Sequence, residues 1–184
     1  VHINLRGGRF CYNPKRPRYI DQRIYGVICG GLATSFILGN TYLTVEANPF
    51  TEELRTAKSV NANEDFVICA GGYGPDCYVS GKSHLLLNSN DAPKIDCIYM
   101  GGIYGTVEST EARILSGSVE NLYGIGRYGA VTSNNVNIVI GEEDGVNNNM
   151  INVDNLFTGK VRSKSKVKIH GGNVMNVLGG DNNR

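Results

Sequence analysis

Five cations at alternate positions carry the most conspicuous chemistry in this chain. They are Lys160, Arg162, Lys164, Lys166 and Lys168, separated by Val161, Ser163, Ser165 and Val167. In a strand, alternate side chains share one face, so these five would line up about 6.8 Å apart. Such a stripe suits a polyanion, either an acidic glycan or a nucleic acid. The plainer reading is favoured: a solvated outer face whose lysines also discourage edge-to-edge aggregation. A second basic group, Arg6, Arg9, Lys15, Arg16 and Arg18, has Tyr12 and Tyr19 interspersed. Those rings could stack on sugars or bases, whereas Pro14 and Pro17 point to an extended loop.

Acidic residues offer a metal site and a catalytic pair, and neither is well supported. Glu142, Glu143 and Asp144 lie together between Gly141 and Gly145, a pattern of an exposed turn that could hold calcium weakly. Gly71 to Val79 fits the calcium motif G-G-x-G-x-D-x-U-x, with Asp76 as its acid. That motif supplies enough oxygen ligands only when copies stack, and this one stands alone. No cofactor is therefore expected beyond a weak calcium site at Glu142, Glu143, Asp144 or Asp76. Asp96, Glu108, Glu111 and Asp154 are available for glycoside cleavage, but nothing in the sequence fixes their separation. His2, His84 and His170 are scattered and suggest no nucleophile arrangement. An enzyme is the minority expectation.

The five cysteines divide in two. Cys29, Cys69 and Cys97 each lie just before a Gly-Gly pair, in places that would stack as a buried column of small side chains. Cys11 and Cys77 fall in loops and could pair, although sequence does not set connectivity. No CxxC pair or Cys/His cluster suggests structural zinc.

Positioning any of these groups requires short strands joined by tight turns. Ile114-Leu115-Ser116-Gly117-Ser118-Val119-Glu120-Asn121-Leu122-Tyr123-Gly124 returns as Lys168-Ile169-His170-Gly171-Gly172-Asn173-Val174-Met175-Asn176-Val177-Leu178-Gly179-Gly180. Gly117 and Gly171 are 54 positions apart, which suggests two coils of 27, with Asn137 to Gly141 opening the coil between. Looser copies occur at Phe66 to Gly72, Tyr25 to Gly31 and Ile95 to Gly102. A run of three to five β residues cannot bury its own apolar face. Stacking coils about 4.8 Å apart gives parallel sheets with a shared interior. The expected fold is all-β, a right-handed parallel β-helix (solenoid) of about five to six coils forming one domain over residues 1–184. One short helix, Pro49 to Lys58 with Asn48 as cap, is expected as an insertion between coils. The competing architecture, a β-sandwich, would need hairpin turns and no repeat.

The recurring unit, a β run, Gly-Gly, x-Val-x-x-Leu/Val, an aromatic or Leu and Gly, resembles the right-handed parallel β-helix repeats of bacterial surface and adhesin-like proteins. The resemblance covers most of residues 60–184 and, more weakly, 1–45. It speaks for fold far more than for function, because that fold also carries pectate-lyase-like enzymes and phage tail-spike depolymerases.

Charge is unevenly spread despite a formal net of +1. Residues 1–23 and 160–184 each hold six Lys/Arg against one Asp, while the segment between holds six against fifteen acids. No stretch is apolar enough to span a membrane. Both ends meet the solenoid without a capping helix, so the expectation is a piece of a longer solenoid or a subunit whose ends pack against others. The expected function is a non-enzymatic structural or adhesive scaffold of a secreted, cell-surface or viral assembly. Its lateral face would meet glycans or other protein subunits, with nucleic acid not expected and an extracellular or cell-surface location. The alternatives are a carbohydrate-active lyase or hydrolase and a filament subunit stacking end to end.

Overall fold

A computed structural model describes residues 1–6, 24–31, 34–46, 65–74, 76–89, 94–126, 135–145, 150–159 and 164–179. The expected helix from Pro49 to Lys58 lies outside them. Every element among the described residues is a strand: β1 (His2–Leu5), β2 (Ile24–Ile28), β3 (Phe36–Ile37), β4 (Thr41–Val45), β5 (Asp65–Cys69), β6 (Tyr78–Asn88), β7 (Ile95–Tyr99), β8 (Thr106–Tyr123), β9 (Asn135–Ile140), β10 (Ile151–Phe157), β11 (Lys164–Ile169) and β12 (Asn173–Leu178). No helix among them is long and apolar enough to cross a membrane.

The strands form two ladders. The first runs β1, β4, β6, β8, β9, β11, with β3 also on β6; the second runs β2, β5, β7, β8, β10, β12. Every pairing is parallel, which excludes a sandwich built of hairpins among these residues. In chain order the polypeptide visits the two ladders alternately. The 18-residue β8 belongs to both: its first part pairs with β6 and β9, its last part with β7 and β10. It therefore curls the hydrogen-bonded sheet through the path β1-β4-β6-β8-β7-β5-β2.

The bend in β8 falls at Gly117, whose φ of +119° lies in the region L side chains avoid. A second glycine constraint is close approach. Gly71 lies against the Gly101 carbonyl and Gly102 against that of Gly72, where a Cβ would overlap backbone.

Period-2 alternation produces the core. Leu43, Leu85, Ala112 and Ile138 of the first ladder face Ile68, Ile98, Leu122 and Leu156 of the second in one buried cluster. Intervening residues of the second ladder form another cluster on its opposite face: Val67, Cys69, Cys97, Tyr99, Tyr123 and Phe157. Its rings stack along the ladder, Tyr99 on Tyr123 at 4.9 Å and Tyr123 on Phe157 at 4.8 Å. Inside the first ladder, buried Thr41 donates to the Ala70 carbonyl (2.8 Å) and Thr110 to that of Gly124 (2.7 Å). These bonds satisfy carbonyls beside the strand ends, where an orphaned group would cost about 1–3 kcal/mol.

The expected 27-residue spacing holds only in part. Leu85, Ala112, Ile138 and Val167 occupy one column at separations of 27, 26 and 29 residues. On the second ladder Asn121, Asn155 and Asn176 share a column at separations of 34 and 21. Gly117 aligns with Ile151, and it is Gly172 that packs against Ile151. Loops of unequal length absorb the difference, since only the strand segments must stay in register.

Candidate functional site

The outer face of the first ladder carries a set of charged side chains beside stacked rings. Alternation places Lys82, His84, Glu111, Arg113, Asn137 and Val139 there, with Lys164, Lys166 and Lys168 on the last strand. Parallel register turns these into columns. One reads His2, Tyr42, His84, Glu111, Asn137, Lys166; the next includes Arg113, Val139 and Lys168.

Lys164, Lys166 and Lys168 do share one exposed face of β11, opposite Asn135, Asn137 and Val139 of β9. Lys160 and Arg162 lie outside the described residues, as do Arg9, Lys15, Arg16 and Arg18 of the N-terminal group. Arg6 is described and meets Glu46 at 3.0 Å on the surface.

The acidic triplet and the basic stripe, which the sequence leaves apart, come together. Glu142, Glu143 and Asp144 form the turn after β9, closed by the Gly145 N–H on the Glu142 carbonyl (3.1 Å). That turn and Arg113, Val139, Gly141, Lys168 and His170 line a shallow groove of about 490 Å³. Glu143 lies 3.9 Å from the Lys168 ammonium and 3.8 Å from His170 Nε2. These are ion-pair distances in solvent, beyond hydrogen-bond reach, and contribute little to stability. They do offset part of the stripe's positive potential. Among the described residues no group of three or more His, Cys, Asp or Glu is arranged to hold a metal ion, so Asp76 and the acidic turn do not converge.

The four carboxylates considered for catalysis divide between the ladders. On the first, Glu108 accepts from the Tyr78 hydroxyl (2.8 Å) and Glu111 from Lys82 (2.8 Å). On the second, Asp154 accepts from Lys94 (2.6 Å), while Asp96 is buried on β7. The bond to Glu108 raises the Tyr78 pKa. The Lys82 bond holds the Glu111 carboxyl below its ordinary value, and burial lowers the pKa of His84. These are the shifts of structural ion pairs and burial, and they assemble no acid/base pair around a shared opening.

The four described cysteines are buried, yet Cys29, Cys69 and Cys97 do not make one column. Cys29 belongs to the interior cluster, whereas Cys69 and Cys97 belong to the cluster on the other face of the second ladder. In register, Cys69 pairs with Ile28 and Tyr99, and Cys97 with Val67 and Asn121. A shift of one residue reverses the face, so adjacency to Gly-Gly did not fix which way a thiol points. Burial pushes Cys69 up to about 12, leaving it a thiol at neutral pH. Cys77 is also buried, and the Ser35 hydroxyl lies 3.1 Å from its sulfur; Cys11 lies outside the described residues.

Two features escaped the sequence reading. His2 and His84 stack on either side of Tyr42, at 4.4 and 4.5 Å with planes within 13° and 3°. Their chain separations differ widely from 27, which hid the alignment. Asn side chains also form ladders: Asn155 donates to Asn121 (3.1 Å), Asn176 to Asn155 (2.9 Å) and Asn173 to Asn152 (3.0 Å). The signal was present in Val119-Glu120-Asn121, Asn152-Val153-Asp154-Asn155 and Asn173-Val174-Met175-Asn176, where Asn recurs two places after a Val packed on the interior cluster.

No family model matches the chain, and neither a curated protein nor a solved structure matches it.

Proposed function

We propose that the two ladders are walls of a right-handed parallel β-helix of about six rungs. The chain acts as a non-enzymatic structural or adhesive scaffold in a secreted, cell-surface or viral assembly. Its lateral face, the outer side of the first ladder, contacts glycans or partner proteins. The observation that carries this reading is the alternate visiting of two parallel ladders by successive strands. Parallel strands need crossovers, and the right-handed sense is the one a twisted strand accommodates. The lateral face supports the contact role because it offers Lys82, Arg113, Lys164 and Lys166 beside stacked rings, while the carboxylates considered for catalysis are spread over both ladders.

Binding to an array of acidic and neutral glycans at two salt concentrations tests this. Retention of acidic glycans at low salt is expected, weakened at high salt and in a Lys164→Ala/Lys166→Ala/Lys168→Ala variant. No binding to any glycan at low salt would remove the glycan-adhesive role. The carbohydrate-active reading keeps one supporting observation, the groove in which Glu142, Glu143 and Asp144 lie near Arg113 and His170. Turnover of an acidic polysaccharide, lost in Glu143→Gln with glycan retention intact, would favour it over the scaffold.

A further inference from the structure

The groove on the outer face of the first ladder holds charges of both signs around one opening. Its floor is a single column, Arg113 of β8, Val139 of β9 and Lys168 of β11, so the two cations stand two rungs apart with a short apolar side chain between them. Rungs about 4.8 Å apart put the backbones of Arg113 and Lys168 about 9.6 Å from each other. The wall is the turn Glu142, Glu143 and Asp144. It is fixed at one end by the Gly141 N–H on the Ile114 carbonyl (2.9 Å) and closed at the other by the Gly145 N–H on the Glu142 carbonyl (3.1 Å). The floor faces sideways from the ladder, so a further rung beyond β11 would lie beside Lys168 and would not cover Val139. The charges in the groove are only loosely satisfied by one another. Glu143 lies 3.9 Å from the Lys168 ammonium and 3.8 Å from His170 Nε2, beyond hydrogen-bond reach. Arg113 is exposed, and the carboxyl that feels its charge, Glu111, is held by Lys82 at 2.8 Å. Both signs are therefore available to a ligand.

The balance of charge decides which ligand fits. Two fixed cations, Arg113 and Lys168, face three carboxylates. Protonation of His170 brings this lining to neutrality and never to a positive balance. A purely anionic ligand would meet the acidic wall, and a purely cationic one would meet Arg113 and Lys168, so each gains one set of contacts and is repelled by the other. A molecule with one group of each sign gains both. We propose that this groove binds a small zwitterion, its carboxylate on Arg113 and Lys168, its ammonium on Glu143, and a compact uncharged frame over Val139. At about 490 Å³ the groove has room for one sugar ring or one amino acid. The site does not use Lys164 or Lys166, and it stands whether or not the lateral face retains acidic glycans.

Calorimetric titration of the intact 184-residue chain with small probes tests this. Muramic acid and γ-aminobutyrate carry both charges, the first on a sugar ring and the second on a short chain; glucosamine carries only the ammonium and glucuronate only the carboxylate. Muramic acid, γ-aminobutyrate or both should bind saturably and roughly tenfold more tightly than either single-charge probe, the worth of one charge-assisted hydrogen bond. The better of the two zwitterions identifies the source of the ligand. Glu143→Gln should weaken the zwitterion roughly tenfold and strengthen glucuronate, whose carboxylate no longer meets that acid. Arg113→Gln should weaken the zwitterion by a similar factor and strengthen glucosamine. Both residues are exposed, and a gain in one probe separates altered charge in the groove from damage to the fold. No saturable binding of either zwitterion, equally tight binding of glucuronate or glucosamine, or weakening of every probe in both variants would overturn the proposal.

Discussion

The rung formed by β10 and the rung formed by β12 have almost the same sequence pattern and opposite fates. Asn152-Val153-Asp154-Asn155-Leu156-Phe157 pairs with β8 on one side and β12 on the other, and its Val153, Leu156 and Phe157 are buried. Among the described residues Asn173-Val174-Met175-Asn176-Val177-Leu178 pairs on one side only, and Val177 and Leu178 are about half exposed. Burial in this architecture is conferred by the neighbouring rung, not by the segment itself. The hydrophobic contribution of a strand depends on its place in the ladder.

Substitutions should expose that difference, the largest effects coming where rungs touch through backbone. Gly102→Val places a side chain against the Gly72 carbonyl at a φ of +115°. It should cost more than about 4 kcal/mol and abolish the cooperative unfolding transition. Gly39→Ala, with a φ of +99° but open space around it, should cost only about 1 kcal/mol. Equal losses in the two would mean that rung contact is not what the glycine provides.

Leu156→Ala should destabilise by about 2–5 kcal/mol in urea unfolding, because the cavity sits between two rungs. Val177→Ala, in the same column one rung on, should cost under about 1 kcal/mol. Comparable values would show that the last rung is covered in solution.

The Asn ladder gives a smaller contrast. Asn155→Ala removes a donor to Asn121 and an acceptor for Asn176, and should cost about 1–2 kcal/mol. Asn176→Ala breaks one bond and should cost about half as much, read as a shift in thermal midpoint.

The smallest effect is a pH dependence. Glu111 and His84 both have pKa values lowered in the fold. For each, the folded state binds fewer protons than the unfolded one, so the contribution is present above the unfolded pKa and lost as pH falls toward the folded value. Stability should therefore decline first below pH 6.5, the ordinary histidine value, where the unfolded chain binds a proton that folded His84 resists, then below pH 4.5 through Glu111. Glu111→Gln should flatten the second limb and, by removing a charge that raises the His84 pKa, deepen the first; an unchanged second limb would remove the Lys82 pair as its source.

Sequence alone carried the all-β class, because Gly117, the Gly-Gly pairs and the alternation in Val136 to Ile140 are local consequences of backbone sterics and side-chain periodicity. It also carried the shared face of Lys164, Lys166 and Lys168, since strand geometry fixes that within a few residues. Tertiary structure decided which columns meet. The 34- and 21-residue separations on the second ladder, the His2–Tyr42–His84 stack, the division of Cys29 from Cys69 and Cys97, and the approach of Glu143 to Lys168 all depend on register between strands far apart in the chain. Register is set by loop lengths and by the packing of every rung on its neighbours, and a one-residue slip would send each of these side chains to the other face.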